Sequence, residues 1–181
     1  MLLNGPNGDP VDVTPDKRLK TVSVTQTDMN AMARQGLAWT LPFTQSSADI
    51  TDNVVFHIEN TGSDPLDVMR LLLSTGGAGL WTIEHGRAYS SGGAAVTLAQ
   101  LNAKSGKTQD VAAYYGQDIT LTGTAVDVAY LRVGADSPFD ILNEAPVVLP
   151  ASGTMALRFA ADASVTVMAV TPILHGKVPW V

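Results

Sequence analysis

A chain of 181 residues, 45% hydrophobic and 15% charged, is long enough to bury one real core, and with no cysteine it does so without disulfides and offers no thiol chemistry. Its net charge of -6 and the lack of any Lys/Arg cluster argue against binding to a phosphate backbone, which needs a basic stripe, so nucleic acid is not an expected partner. No run approaches the roughly 18 apolar residues that span a bilayer, and the start Met1-Leu2-Leu3-Asn4-Gly5-Pro6 lacks a basic or apolar signal region. A soluble chain made in the cytosol, with no membrane partner, is the expectation.

Residues 1–20 read as an extended arm, because three prolines and two Asn-Gly pairs forbid helix and discourage a central strand. Such a composition cannot fold alone, so the arm is expected to lie across another chain. Residues 21–181 form the folded domain. Thr21–Thr25 places Val22 and Val24 on one face as a candidate first strand, and Thr27-Asp28 can cap a short helix through Gln35 that stops at Gly36. Leu37–Phe43, interrupted by Pro42, predicts an edge strand.

Val54, Phe56 and Ile58 alternate with Val55, His57 and Glu59 before the turn residues 60–65, and Leu66–Leu73 predicts the return strand of a hairpin. In that return the apolar set moves from Leu66 and Val68 to Met69, Leu71 and Leu73, which points to a bulge or to burial on both faces. A second hairpin is predicted from Leu80 to Leu98 with Gly92-Gly93 at its tip. Ile119–Leu121 and Ala125–Val133 follow. The last third, Val147–Leu149, Met155–Phe159 and Val165–Val170, reads as an antiparallel meander, with Met155, Leu157 and Phe159 on one face and Ala156, Arg158 and Ala160 on the other. About nine or ten strands at this spacing predict an all-β antiparallel sandwich, with a jelly roll as the candidate arrangement.

The residues that could carry chemistry do not assemble into a pattern. Lys104-Ser105-Gly106-Lys107-Thr108 ends like a phosphate-binding loop, but that motif needs glycine five residues before Gly106, where Leu101 stands, and a strand–loop–helix setting. His57, His85 and His175 lie on separate elements without metal-site spacing, although His57 and Glu59 share a strand face and Glu84 neighbours His85; exposed or interface histidines are expected. Ser90, Ser91 and Ser105 sit in turn-like contexts outside any Gly-x-Ser-x-Gly elbow. Asp9, Asp12, Asp16, Asp64, Asp67, Asp118, Asp127, Asp136, Asp140 and Asp162 are expected mostly at turns. Trp39, Trp81 and Trp180 could form a sugar-stacking platform, but large aromatics on strands usually fill the core. No catalytic residue, metal ligand or cofactor is therefore assigned, and the chain is not expected to be an enzyme.

The stretch Val96-Thr97-Leu98-Ala99-Gln100-Leu101-Asn102-Ala103-Lys104-Ser105-Gly106-Lys107, followed by Ala112-Ala113-Tyr114-Tyr115-Gly116, resembles segments of small tailed-bacteriophage virion proteins. The preceding Ile58-Glu59-Asn60-Thr61-Gly62, the closing Val147–Val170 and the opening Val11-Asp12-Val13-Thr14-Pro15-Asp16-Lys17-Arg18-Leu19 are also similar to theirs. Within that group the resemblance implies a capsid decoration, or cement, protein: a β-sandwich, commonly trimeric, on the outer face of a head shell, with the major capsid protein as partner and the virion as its location. The alternative is a tail or head-fibre β domain that binds a host surface glycan.

Overall fold

The computed structural model describes residues 32–45, 53–106, 108–136, 138–140, 142, 146–163 and 168–176. The arm 1–20, the candidate strand Thr21–Thr25, the start of the expected helix and Trp180 lie outside them. Met32–Arg34 form a helical turn, closed where Gly36 N donates to Ala33 O at 3.0 Å and Leu37 N donates to Met32 O at 2.8 Å. This double closure requires a left-handed residue, and Gly36 has φ 71°. A Cβ at Gly36 would also stand 2.2 Å from the Ser105 side chain, so space as well as φ calls for glycine at the expected helix stop.

The strands that follow are β1 (Ala38–Thr40), β2 (Phe43–Gln45), β3 (Asn53–Asn60), β4 (Leu66–Thr75), β5 (Gly79–His85), β6 (Ala88–Ser91), β7 (Ala94–Ala95), β8 (Ala99–Gln100), β9 (Val111–Tyr115), β10 (Thr120–Thr122), β11 (Val126–Val133), β12 (Phe139–Asp140), β13 (Val147–Leu149), β14 (Thr154–Ala161) and β15 (Met168–Gly176). One sheet has the order β12-β4-β15-β1-β8, with β13 also beside β4 and β2 beside β15; the other has the order β11-β5-β14-β3-β9-β7. A ribbon of β10 and β6 forms a third, two-stranded unit.

Four antiparallel partnerships organise the sandwich: β1 and β2 with β15, β3 with β14, β4 with β12 and β13, and β5 with β11. Early strands pair with late ones and the two halves nest, which is the winding of a jelly roll. Among the described residues no strand pairs with its successor in the chain. The first predicted hairpin and the C-terminal meander are therefore corrected to crossings between sheets, and the second hairpin to two separate strands of the six-stranded sheet, β5 and β7, with β6, between them in the chain, in the ribbon. β3 and β4 lie in opposite sheets, as do β13 and β14, and β14 and β15. A five-residue link such as 61–65 easily covers the roughly 10 Å between packed sheets. Asn60 holds that link: its Nδ2 donates to Asp64 O, Leu149 O and Pro150 O at 2.8, 3.0 and 3.1 Å, tying it to the β13–β14 turn.

Two bulges decide which face each strand buries. In β4, Ile173 pairs with Arg70 and Leu174 with Val68, so Met69 is the extra residue. It switches the inward set from Leu66 and Val68 to Leu71 and Leu73, as the apolar pattern anticipates. In β3, Leu157 pairs with Phe56 and Arg158 with Val54, leaving Val55 extra and turning Val54 to the outer face. The core between the sheets is built on Phe56, Ile58, Leu71, Trp81, Leu157 and Phe159, all essentially inaccessible.

Leu37–Phe43 departs from its expected edge position. β1 is interior, flanked by β15 and β8, because the segment between β5 and β11 returns to cover it. Pro42 falls in the gap between β1 and β2, where no ladder amide is needed. β2 has β15 as its one described partner.

Candidate interaction surface

Residues 86–125, inserted between β5 and β11, add β9 and β7 beyond β3, add β8 beyond β1, and lay the β6–β10 ribbon on the outer face of the six-stranded sheet. Ile119 and Leu121 from the insertion pack there on Val54 and Ala156, with Tyr89 and Tyr114 against them. Those two rings stack at 3.8 Å, 2° from parallel. At the ribbon's tip Gly92 has φ 84°, and a Cβ there would stand 1.9 Å from the Asp118 carbonyl oxygen. The tip is further held by Tyr89 Oη donating to Gly92 O at 2.8 Å and Gly93 N donating to Asp118 Oδ1 at 3.0 Å.

Beside this second small core runs a charged network. Glu84 of β5 is 0% exposed. Arg87 Nη1 donates to its Oε1 at 3.0 Å, and Arg158 Nε lies 3.0 Å from its Oε2, a close charge contact rather than an aligned hydrogen bond. Arg158 Nη2 reaches Asp127 Oδ1 at 3.3 Å, and Tyr130 donates its hydroxyl to Asp127, which raises the phenol's pKa above its usual value. Arg87 Nη2 donates to Leu121 O at 3.2 Å, so one guanidinium links the buried carboxylate to the ribbon.

His57 is also 0% exposed, which corrects the expectation of a surface histidine: the ribbon covers the strand face on which alternation places it. Its Nε2 lies 3.1 Å from Arg87 O, an acceptor, so Nε2 carries the proton; Nδ1 is buried and makes no hydrogen bond with a described residue. Burial lowers its pKa below 6.5, outweighing the Arg87 carbonyl and the nearby Glu59 and Glu84, which raise it. In the unfolded chain His57 binds a proton more readily than in the folded one, so the native state loses stability as pH falls below about 6.5 toward the folded value. We expect His57→Gln to flatten this part of the stability–pH curve, measured by urea unfolding between about pH 7.5 and pH 5.

The other residues singled out in the sequence stay apart. His85 is partly exposed at the end of β5, and burial lowers its pKa. It lines an open cleft of about 310 Å³ with Gly86, Ala88, Val148, Pro150 and the β13–β14 turn. Of His175 only the backbone is described, paired with Ala38 and Asp67. Ser90 and Ser91 are exposed on β6, and Ser105 lies in a turn that Asn102 shapes by accepting from Lys104 N and Ser105 N. Lys107 lies outside the described residues. Asp64, Asp118, Asp136 and Asp162 occupy turns or loops, whereas Asp67, Asp127 and Asp140 are on strands, against the expectation for turns. Asp140 accepts from Leu71 N, Leu142 N and Arg70 Nε at 3.1, 3.2 and 2.7 Å, a role in holding β12 to β4. Trp39 and Trp81 are buried, so neither ring can stack on a sugar. Among the described residues no three His, Asp or Glu side chains converge as metal ligands, and no helix is long and apolar enough to cross a membrane.

What the molecule displays is apolar edge. β11 is the outermost strand of its sheet, and Val126, Val128 and Tyr130 are 61%, 49% and 61% exposed along it. Val148, 47% exposed, stands at the rim of the His85 cleft. No family model matches the chain, and neither a curated protein nor a solved structure matches it significantly.

Proposed function

We propose that this chain is a capsid decoration protein, a cement domain that binds the outer surface of a bacteriophage head through its major capsid protein and stabilises the assembled shell. The observation that carries the proposal is the contrast between the two kinds of surface. Glu84, Arg87, Arg158 and His57 are occupied with contacts inside the domain, while Val126, Val128, Tyr130 and Val148 face outward on the sandwich. A module that works by contact area needs the second and has no use for a reactive site. Binding only to the assembled shell would stabilise it by mass action, in proportion to the logarithm of ligand concentration over its dissociation constant. The virion-protein resemblance supplies the class of partner.

Localisation on purified particles by cryo-electron microscopy tests the proposal, and density for the sandwich on the outer head surface is the expected result. A chain absent from particles, or confined to the tail, would overturn it. Deleting residues 1–20 is expected to lower occupancy while leaving the sandwich folded; equal occupancy would remove the arm from the contact.

A further inference from the structure

We infer that β11 pairs antiparallel with β11 of a second copy across a twofold axis, joining the two six-stranded sheets into one. The sheet ends on this eight-residue strand, whereas its other end closes on β7, only two residues long. No described strand covers the outer side of β11, and an uncovered edge presents a row of backbone donors and acceptors ready for another strand. Its composition, Val-Asp-Val-Ala-Tyr-Leu-Arg-Val, is rich in β-branched and aromatic residues, which favour pairing.

Charge selects a second copy as the occupant and antiparallel as the direction. Asp127 and Arg132 pair with Glu84 and Leu80 of β5, on the sheet's outer face, and they stand near opposite ends of β11. Any antiparallel register centred on the strand brings Asp127 of one copy within one position of Arg132 of the other, and symmetry repeats the contact. A parallel, in-register pair would instead set Asp127 beside Asp127 and Arg132 beside Arg132, which is repulsive. Within one domain Asp127 already meets Arg158, and Arg132 meets Asp162 at 2.7 Å, so the dimer extends two short ion-pair chains into one another. The bulge between Asp127 and Ala129 breaks the regular ladder near one end, so in a pairing that sets Asp127 opposite Arg132 the uninterrupted stretch is Ala129–Leu131, about Tyr130. An isologous contact closes at two copies, in place of the threefold contact that the resemblance implies.

Sedimentation of the full chain in solution tests this independently of particle binding. At about 100 μM the wild type is expected to sediment as a dimer. Arg132→Glu makes both ends of the strand negative and Asp127→Lys makes both positive, so each variant alone should dimerise about tenfold more weakly. Mixed in equal amounts they should recover dimers, because each supplies the charge the other lacks. Should Asp127→Lys fail to fold beside Arg158, Tyr130→Lys, which adds a charge to the strand's exposed middle, is expected to weaken the dimer in its place. A wild-type monomer or trimer, a dimer indifferent to all edge variants, or the absence of recovery in a mixture of folded variants would overturn the inference. So would backbone ladder pairing of β11 with a different segment of this chain or with a strand of another protein.

Discussion

Replacing Trp81 by alanine is expected to cost about 3–5 kcal/mol of stability, the range for emptying a large aromatic site in a packed core. Trp81 is 0% exposed on the central part of β5, and its ring sits 4.7 Å from that of Phe159, its neighbour across the β5–β14 ladder. The indole is held between sheets that are themselves tied at many points, so the surroundings have little room to collapse into the space left behind. Trp81→Phe separates the causes. It keeps an aromatic ring and removes an indole N–H that makes no hydrogen bond with a described residue, so it should cost well under half as much. Urea unfolding of the three proteins, with unchanged denaturant dependence and a shifted midpoint, would establish the order. Equal losses for both substitutions would mean that the volume of the ring is not what matters.

Glu84→Ala is expected to cost about 3 kcal/mol, because removing one partner of a buried ion pair leaves the other charge unpaired. Two guanidinium groups depend on Glu84, and their side chains are 24% and 23% exposed, enough for water to recover part of the loss and to hold the cost near the lower end for such sites. The damage should be local as well as global. Arg87 also donates to Leu121 O, so the ribbon over the outer face should open first, and amide hydrogen exchange of residues 88–91 and 120–122 should accelerate more than that of β14. Asp162→Ala is the comparison: its pair with Arg132 is 41% and 68% exposed, and such pairs contribute about 0–1 kcal/mol. Comparable losses at Glu84 and Asp162 would show that burial does not set the strength of this network.

Much of the local structure is legible in the chain. A left-handed glycine at 36, the change of buried face at Met69 and the inward set Met155, Leu157 and Phe159 follow from φ preferences and period-two alternation, which act over a few residues. The location of Trp39 and Trp81 in the core follows from their size and strand setting. The outer-face site escaped the sequence reading, although apolar residues on both faces, as in Val54-Val55-Phe56 and Met155-Ala156-Leu157, and Ile119 and Leu121 in an otherwise polar segment are a signal for it.

Sequence by itself determined that this is an all-β chain and, for β3, β4, β5, β11 and β14, roughly where the strand runs and which residues are apolar on one side; it offered no strand at β9 or β12, and the last strand, read as Val165–Val170, is described as Met168–Gly176. Tertiary structure alone decided that β3 and β4, β13 and β14, and β14 and β15 part to opposite sheets, that β1 is interior, and that the polar side of β3 and β5 is roofed by the ribbon of β6 and β10, which buries His57 and Glu84. Alternation records which way a side chain points relative to its own strand. Whether that direction meets water, another sheet or a distant loop depends on partners 30 or more positions away, such as Arg87 for His57 and Leu121 for Arg87, and those choices rest on the packing of the whole chain rather than on any window of it.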